Sequence, residues 1–106
     1  MPKYLVQASY TAEGVKGLKK DGGSGRRDAA TKLIESLGGK VESFYFAFGG
    51  TDAYVVVDMP DNASAAAASL TVGASGVVTT TLTVLLTPQE VDAACKKSPT
   101  YRAPGA

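Results

Sequence analysis

The sequence predicts an α+β domain in the order β-α-β-β-α-β, with one further short helix. Three observations predict it. Apolar residues alternate with period two in four separate stretches. Segments with helical spacing and capping residues lie between them. Glycine or proline marks most of the junctions. A chain of 106 residues fits one domain with a modest core. Residues 1–97 are read as that domain and residues 98–106 as a flexible tail.

Residues 3–10 read as the first strand, with Tyr4, Val6, Ala8 and Tyr10 on one face and Lys3, Leu5, Gln7 and Ser9 on the other. Thr11 is a natural N-cap, and Glu13 sits near the positive end of the helix that follows. That helix turns Val15 and Leu18 inward and Lys16, Lys19 and Lys20 outward. It stops near Asp21-Gly22-Gly23, where glycine is costly to keep helical. Ser24 caps a second helical segment, and Ala29, Ala30, Leu33, Ile34 and Leu37 mark its apolar face. Asp28 and Lys32 stand four apart in the favourable order, an arrangement worth about 0.2–0.5 kcal/mol. Gly38-Gly39 ends the segment, because glycine takes the left-handed C′ conformation without a Cβ clash.

Residues 41–48 form the second strand, where Phe44, Phe46 and Phe48 alternate with Ser43, Tyr45 and Ala47. Gly49-Gly50-Thr51-Asp52 makes a tight connection to a valine-rich third strand over residues 53–59, and Pro60 ends it. Asp61 or Asn62 caps the next helix. Its alanine run places Ala66, Ala67 and Leu70 toward the sheet, allowing close approach but burying little area per residue. Residues 77–86 are the fourth strand, with Val78, Thr80, Leu82, Val84 and Leu86 alternating with Thr79, Thr81, Thr83 and Leu85. Thr87 as cap and Pro88 in the first turn open a terminal helix that runs to about residue 97.

This order is the ferredoxin-like, split βαβ arrangement, a four-stranded antiparallel sheet with its helices on one face. The other face has no cover from its own chain. Its members are Leu5, Tyr45, Tyr54, Val56, Val77 and Leu85, mixed with Gln7, Ser9, Ser43, Thr79, Thr81 and Thr83. A bare face of that kind points to a partner. The expectation is a homodimer, two sheets packed face to face as a barrel, or a higher oligomer. The alternative is a monomer with a threonine-rich wet face.

An ordered set of local signals resembles the GYD-domain family, within the broad group of dimeric α/β-barrels. The set begins with Thr11-Ala12-Glu13-Gly14 after the first strand and residues 30–37 leading into Gly38-Gly39-Lys40. It continues with residues 44–52, Met59-Pro60-Asp61 and the Gly-Val-Val-Thr-Thr-Thr-Leu stretch over residues 76–82. The resemblance covers residues 3–97. The family signature is Gly-Tyr-Asp. Here Gly50 and Asp52 fit, and Thr51 replaces the tyrosine. The resemblance thus carries over a backbone role for Gly50 and a carboxylate role for Asp52, but no role for a phenol at position 51. It implies the fold more than an activity, since the wider group includes cofactor-independent oxygenases, isomerases and haem enzymes.

Composition narrows the chemistry. Eleven basic against ten acidic side chains lack the basic excess of a nucleic-acid binder. No histidine is present, which excludes a Ser-His-Asp triad, a Cys-His pair and proximal-histidine haem ligation. Cys95 is alone, so there is no intrachain disulfide or CxxC pair. Residues 62–89 carry no ionisable side chain, but their serines and threonines break the apolar block a membrane span needs. No signal-like apolar run opens the chain, and the expected location is the cytoplasm. No cofactor and no metal are expected.

The candidate site residues each carry two readings. Asp52, the one catalytic candidate, can accept a proton or orient a substrate; it can equally bond the N–H groups of its own turn. Tyr45 and Tyr54, with Gln7 and Ser9, can offer polar groups to a small organic ligand between or at the edge of the sheets; they can equally pack an interface. A one-residue slip of parity would move all four to the other face. The segment Asp21–Arg27 invites a phosphate-loop reading, but its spacing is not that of a P-loop and it joins two helical pieces. Cys95 beside Lys96 and Lys97 reads as a reactive thiol or as a half-buried small hydrophobe. The functional expectation is small-molecule binding, possible as a cofactor-independent enzyme. The alternative is a non-catalytic assembly module.

Overall fold

Period-two alternation builds one sheet. In the computed structural model, which describes residues 1–106, the strands are β1 (Lys3–Tyr10), β2 (Lys40–Phe46), β3 (Ala53–Asp58) and β4 (Val78–Leu85). They pair antiparallel in the order β2-β3-β1-β4. Helix α1 (Ala12–Ser36) follows β1, α2 (Asn62–Ala74) follows β3, and α3 (Pro88–Cys95) comes last. This is the ferredoxin-like βαββαβ unit with an added helix. No helix is long and apolar enough to cross a membrane.

The expected dimeric α/β-barrel is corrected by this topology. The edge strands β2 and β4 lie at opposite ends of the ladder, separated by β3 and β1, and the sheet stays open. A barrel removes its edges by closing the ladder on itself, and this ladder does not close. The homo-oligomer expectation was drawn from the bare face, and the open-sheet topology does not match it.

Parity holds across the sheet. Tyr4, Val55 and Val57 face the helices and join Ile34, Met59, Ala65 and Ala68 in one buried cluster. Ala8, Ala53 and Val78 form a second, smaller one. Strict alternation along β2 would place Val41 with Ser43 and Tyr45, away from Phe44. A bulge intervenes: Val41 pairs with Val57 while Ser43 pairs with Val56, leaving Glu42 without an opposite residue. The extra residue lets both Val41 and Phe44 pack on the larger cluster.

Helix α1 starts on Thr11, whose hydroxyl accepts from the Gly14 N–H at 3.2 Å. The expected stop and restart near Asp21–Ser24 is a single break. Gly22 alone leaves the helix, at φ 77° and ψ 165°, and Gly23 resumes it. A positive φ is open to glycine at little cost and strains other residues. At the far end, a Cβ on Gly39 would fall 2.6 Å from the Asp58 carbonyl oxygen and 2.9 Å from Ile34 Cγ2. Glycine there allows the chain to pass under Met59, which is fully buried.

Several expected details shift. In α2 the buried residues are Ala65 and Ala68, not Ala66 and Ala67, and Leu70 is exposed. A run of alanines has no apolar periodicity to mark its inward face. Val15 is exposed, while Gly14 beside it is buried. Val77 packs against the smaller cluster and not on the open face. Phe48 lies beyond β2 and is fully exposed. Helix α3 has a complete capping box between Thr87 and Glu90, with Pro88 in its first turn, yet buries none of its residues. Cys95, at its end, is exposed and not half-buried.

Candidate functional site

The register places the expected site residues on the open face. Tyr45 stands opposite Tyr54, Tyr54 opposite Gln7, and Gln7 opposite Thr81. These four form a straight row across all four strands. Both tyrosines are exposed. Ser9 lies two residues along β1 and donates to the Gly50 carbonyl at 2.8 Å. Thr51 lies 3.4 Å from Gln7 Oε1 through its hydroxyl, which donates. Asp52 Oδ2 accepts the Tyr10 backbone N–H at 2.8 Å, and the Asp52 N–H donates to the Ala8 carbonyl. Gly50, Thr51 and Asp52 are therefore each tied to the last residues of β1. A charged clamp occupies the far corner of the same face. Lys3 Nζ donates to Glu42 at 2.6 Å and to Asp58 at 2.9 Å. These bonds, the one to Glu42 first, hold the Lys3 ammonium above its ordinary pKa of 10.5.

The covered side holds a different kind of site. Between the helices and the sheet lies a cavity of about 80 Å³, lined mostly by hydrophobic side chains. Val6, Phe44, Val55 and Leu82 belong to the sheet side of its lining, and Ala30 and Ala68 to the helices. Members of both buried clusters line it. Its origin is the small residues of α1 and α2: alanine brings a helix close without filling the layer beneath it. A second cavity of about 260 Å³ lies beside the first half of α1 and the start of β4, and Glu13, Gly17, Asp21 and Ser75 help to line it. Tyr10, Arg26, Val72 and Val78 border both spaces. None of Gln7, Ser9, Tyr45, Asp52 and Tyr54 lines either one.

The polar groups around the inner cavity differ in their partners. Ser69 and Thr80 bond to each other through their hydroxyls at 2.6 Å. Arg26 Nε is buried and makes no hydrogen bond. A buried donor in that state costs about 1–3 kcal/mol, more when the group is charged. Asp21 also borders the outer cavity, yet no ion pair joins it to Arg26. Neighbouring Arg27 is paired with Asp28 at 3.2 Å.

Arg26 was not among the residues expected to form a site. Read from the sequence, it falls among the polar residues of the helical segment capped by Ser24 and within a glycine-rich stretch, and the structure corrects that position. Counted along the helix that resumes at Gly23, Arg26 precedes Ala30 by four residues and Leu33 by seven. It lies on the apolar face, where a charged residue is the exception. That spacing was the available signal.

Fold and site together define a ferredoxin-like α+β domain with an apolar pocket between its layers. The GYD domain model matches residues 4–95, and the chain belongs to that family. No curated protein and no solved structure matches it.

Proposed function

We propose that this domain binds a small, largely apolar organic molecule in the space between its helices and its sheet. One observation supports the reading: an apolar cavity that shares Tyr10, Arg26, Val72 and Val78 of its wall with a larger and more polar one. Protein layers ordinarily close to crystal-like density. An apolar cavity remains dry and takes an apolar guest, as a cavity of about 150 Å³ takes benzene. The inner space is smaller, which suits a short hydrocarbon segment whose remainder extends into the outer space. The surrounding polar groups can anchor and orient such a guest, and the reading is one of binding.

The test is an amide NMR titration with n-hexanol. Saturable shifts confined to Val55, Ala68, Val72 and their neighbours are expected. Ala30→Leu, which places a larger side chain in the inner space, should abolish them while leaving the protein as stable or more stable. Absence of localised shifts in the wild-type protein overturns the reading.

A further inference from the structure

We propose that the guest of this pocket carries a carboxylate, and that Arg26 is the residue that recognises it. The inference rests on the pocket reading above and adds the chemical class of the ligand. Its basis is the contrast among the polar groups at the cavity wall. Ser69 and Thr80 satisfy one another, whereas Arg26 Nε is buried without a partner. Arg26 borders both the apolar inner space and the outer one. A guest with its hydrocarbon end inside and its head outward brings that head to the guanidinium.

Guanidinium geometry selects the head group. Nε–H and one terminal N–H point in parallel and match the two oxygens of a carboxylate, forming two charge-assisted bonds. An alcohol or ketone offers the pair one neutral oxygen, without the second oxygen or the charge that the fork matches. An ammonium is repelled. Local charge agrees: between Glu13 and Asp28 the sequence has five basic and three acidic side chains. Of those three, Glu13 is paired with Lys16 and Asp28 with Arg27.

The bland account of Arg26 is a side chain laid over the core with its charge at the surface. That accounts for the methylene stem. It leaves the buried Nε–H without an acceptor.

The experiment compares three six-carbon probes at neutral pH, n-hexanoate, n-hexanol and n-hexylammonium, by NMR titration of the full chain. Hexanoate is expected to bind at least ~10-fold more tightly than hexanol, since bonds to charged groups are the stronger class. Arg26→Met keeps the apolar stem and should erase that preference while hexanol binding persists. Arg26→Lys keeps the charge without the fork and should retain only part of the preference. Hexanol binding in the pocket with no gain for hexanoate, or a preference that survives Arg26→Met, overturns the carboxylate assignment and leaves the pocket reading standing. Preference for hexylammonium also overturns the assignment. Failure of both hexanol and hexanoate to bind the wild-type protein overturns the pocket reading and the assignment together. If neither variant folds, the order of the three probes on the wild-type protein decides the assignment.

Discussion

The two faces of this sheet come from the same four strands and differ in almost every physical respect. The covered face presents Tyr4, Val55, Val57 and Val78, all buried, beneath helices rich in alanine. The open face presents a row of Tyr45, Tyr54, Gln7 and Thr81 and a corner clamp of Lys3, Glu42 and Asp58. The covered face is the apolar one, yet it contains the cavity. The open face is polar and aromatic, and its side chains line neither cavity. The contrast teaches that an unclothed surface is not the only place to look for a site. A layer roofed by small residues can be incomplete on its inside.

Four measurements break or sharpen that contrast. The largest effect belongs to the covered face. Met59→Ala removes a fully buried side chain and should cost about 2–5 kcal/mol, read as a lowered denaturation midpoint at unchanged slope. A loss below 1 kcal/mol would mean that the core is already loose there. Asp52 comes second, at the join between the hairpin and β1. Asp52→Ala leaves the Tyr10 N–H without its acceptor and should cost about 1–3 kcal/mol. A variant that loses hexanol binding at unchanged stability would instead assign Asp52 a role at the pocket.

The open face should respond least to truncation. Tyr45→Ser removes an exposed ring opposite Tyr54, and its cost should lie within the roughly 0.2–1 kcal/mol of a cross-strand pair. A cost of several kcal/mol would show that this face is covered in solution.

The last measurement is the pH dependence, and it separates the faces by sign. Asp61 caps α2, and its bond from the Ser64 N–H holds its carboxyl below its ordinary 3.8. A depressed carboxyl stabilises the fold above that ordinary value and ceases to do so as the pH falls through its folded value. Lys3 is the opposite case. Its raised pKa contributes stability fully below about 10.5, and the contribution is lost as the pH rises through the folded value. Stability profiles of Asp61→Asn and Lys3→Met should therefore converge on the wild-type curve at the acid and alkaline ends respectively. Asp61 is exposed and Lys3 is half-buried at the sheet surface, so the effects should be small and weakened by salt.

Much of the fold was legible because period-two alternation is a strong signal. The facing of Tyr4, Gln7, Tyr45, Tyr54 and Val55 follows from counting along each strand, and the caps at Thr11 and Thr87 from residue type and place; at α2 the sequence offered Asp61 or Asn62, and the structure uses Asp61. Other features left no local mark. The bulge at Glu42 is one extra residue in an ordinary strand sequence. The inward face of α2 is hidden because residues 63–69 are all alanine or serine, and Leu70, the first large residue after them, is exposed. The barrel was inferred from a bare face, but closure depends on where edge strands lie, and alternation does not encode that. The pocket was illegible for a related reason. A cavity is what several small residues on different elements fail to fill, and no one of them announces it. Arg26 alone broke the helical pattern, beside glycines that drew the reading toward a loop.

The supernumerary Glu42 also governs where β2 can change length. On either side of it, Val41 faces the helices with Val57 and Ser43 shares the open face with Val56. Deleting residue 42 would leave an unbroken ladder with every remaining side chain on its present face; the loss would be one arm of the Lys3 clamp. Deleting a residue between Ser43 and Phe46 would throw the residues on one side of the gap onto the wrong face. Within this strand, one position is silent to deletion and its neighbours are not, so divergent copies of the domain can differ in length there without differing in architecture.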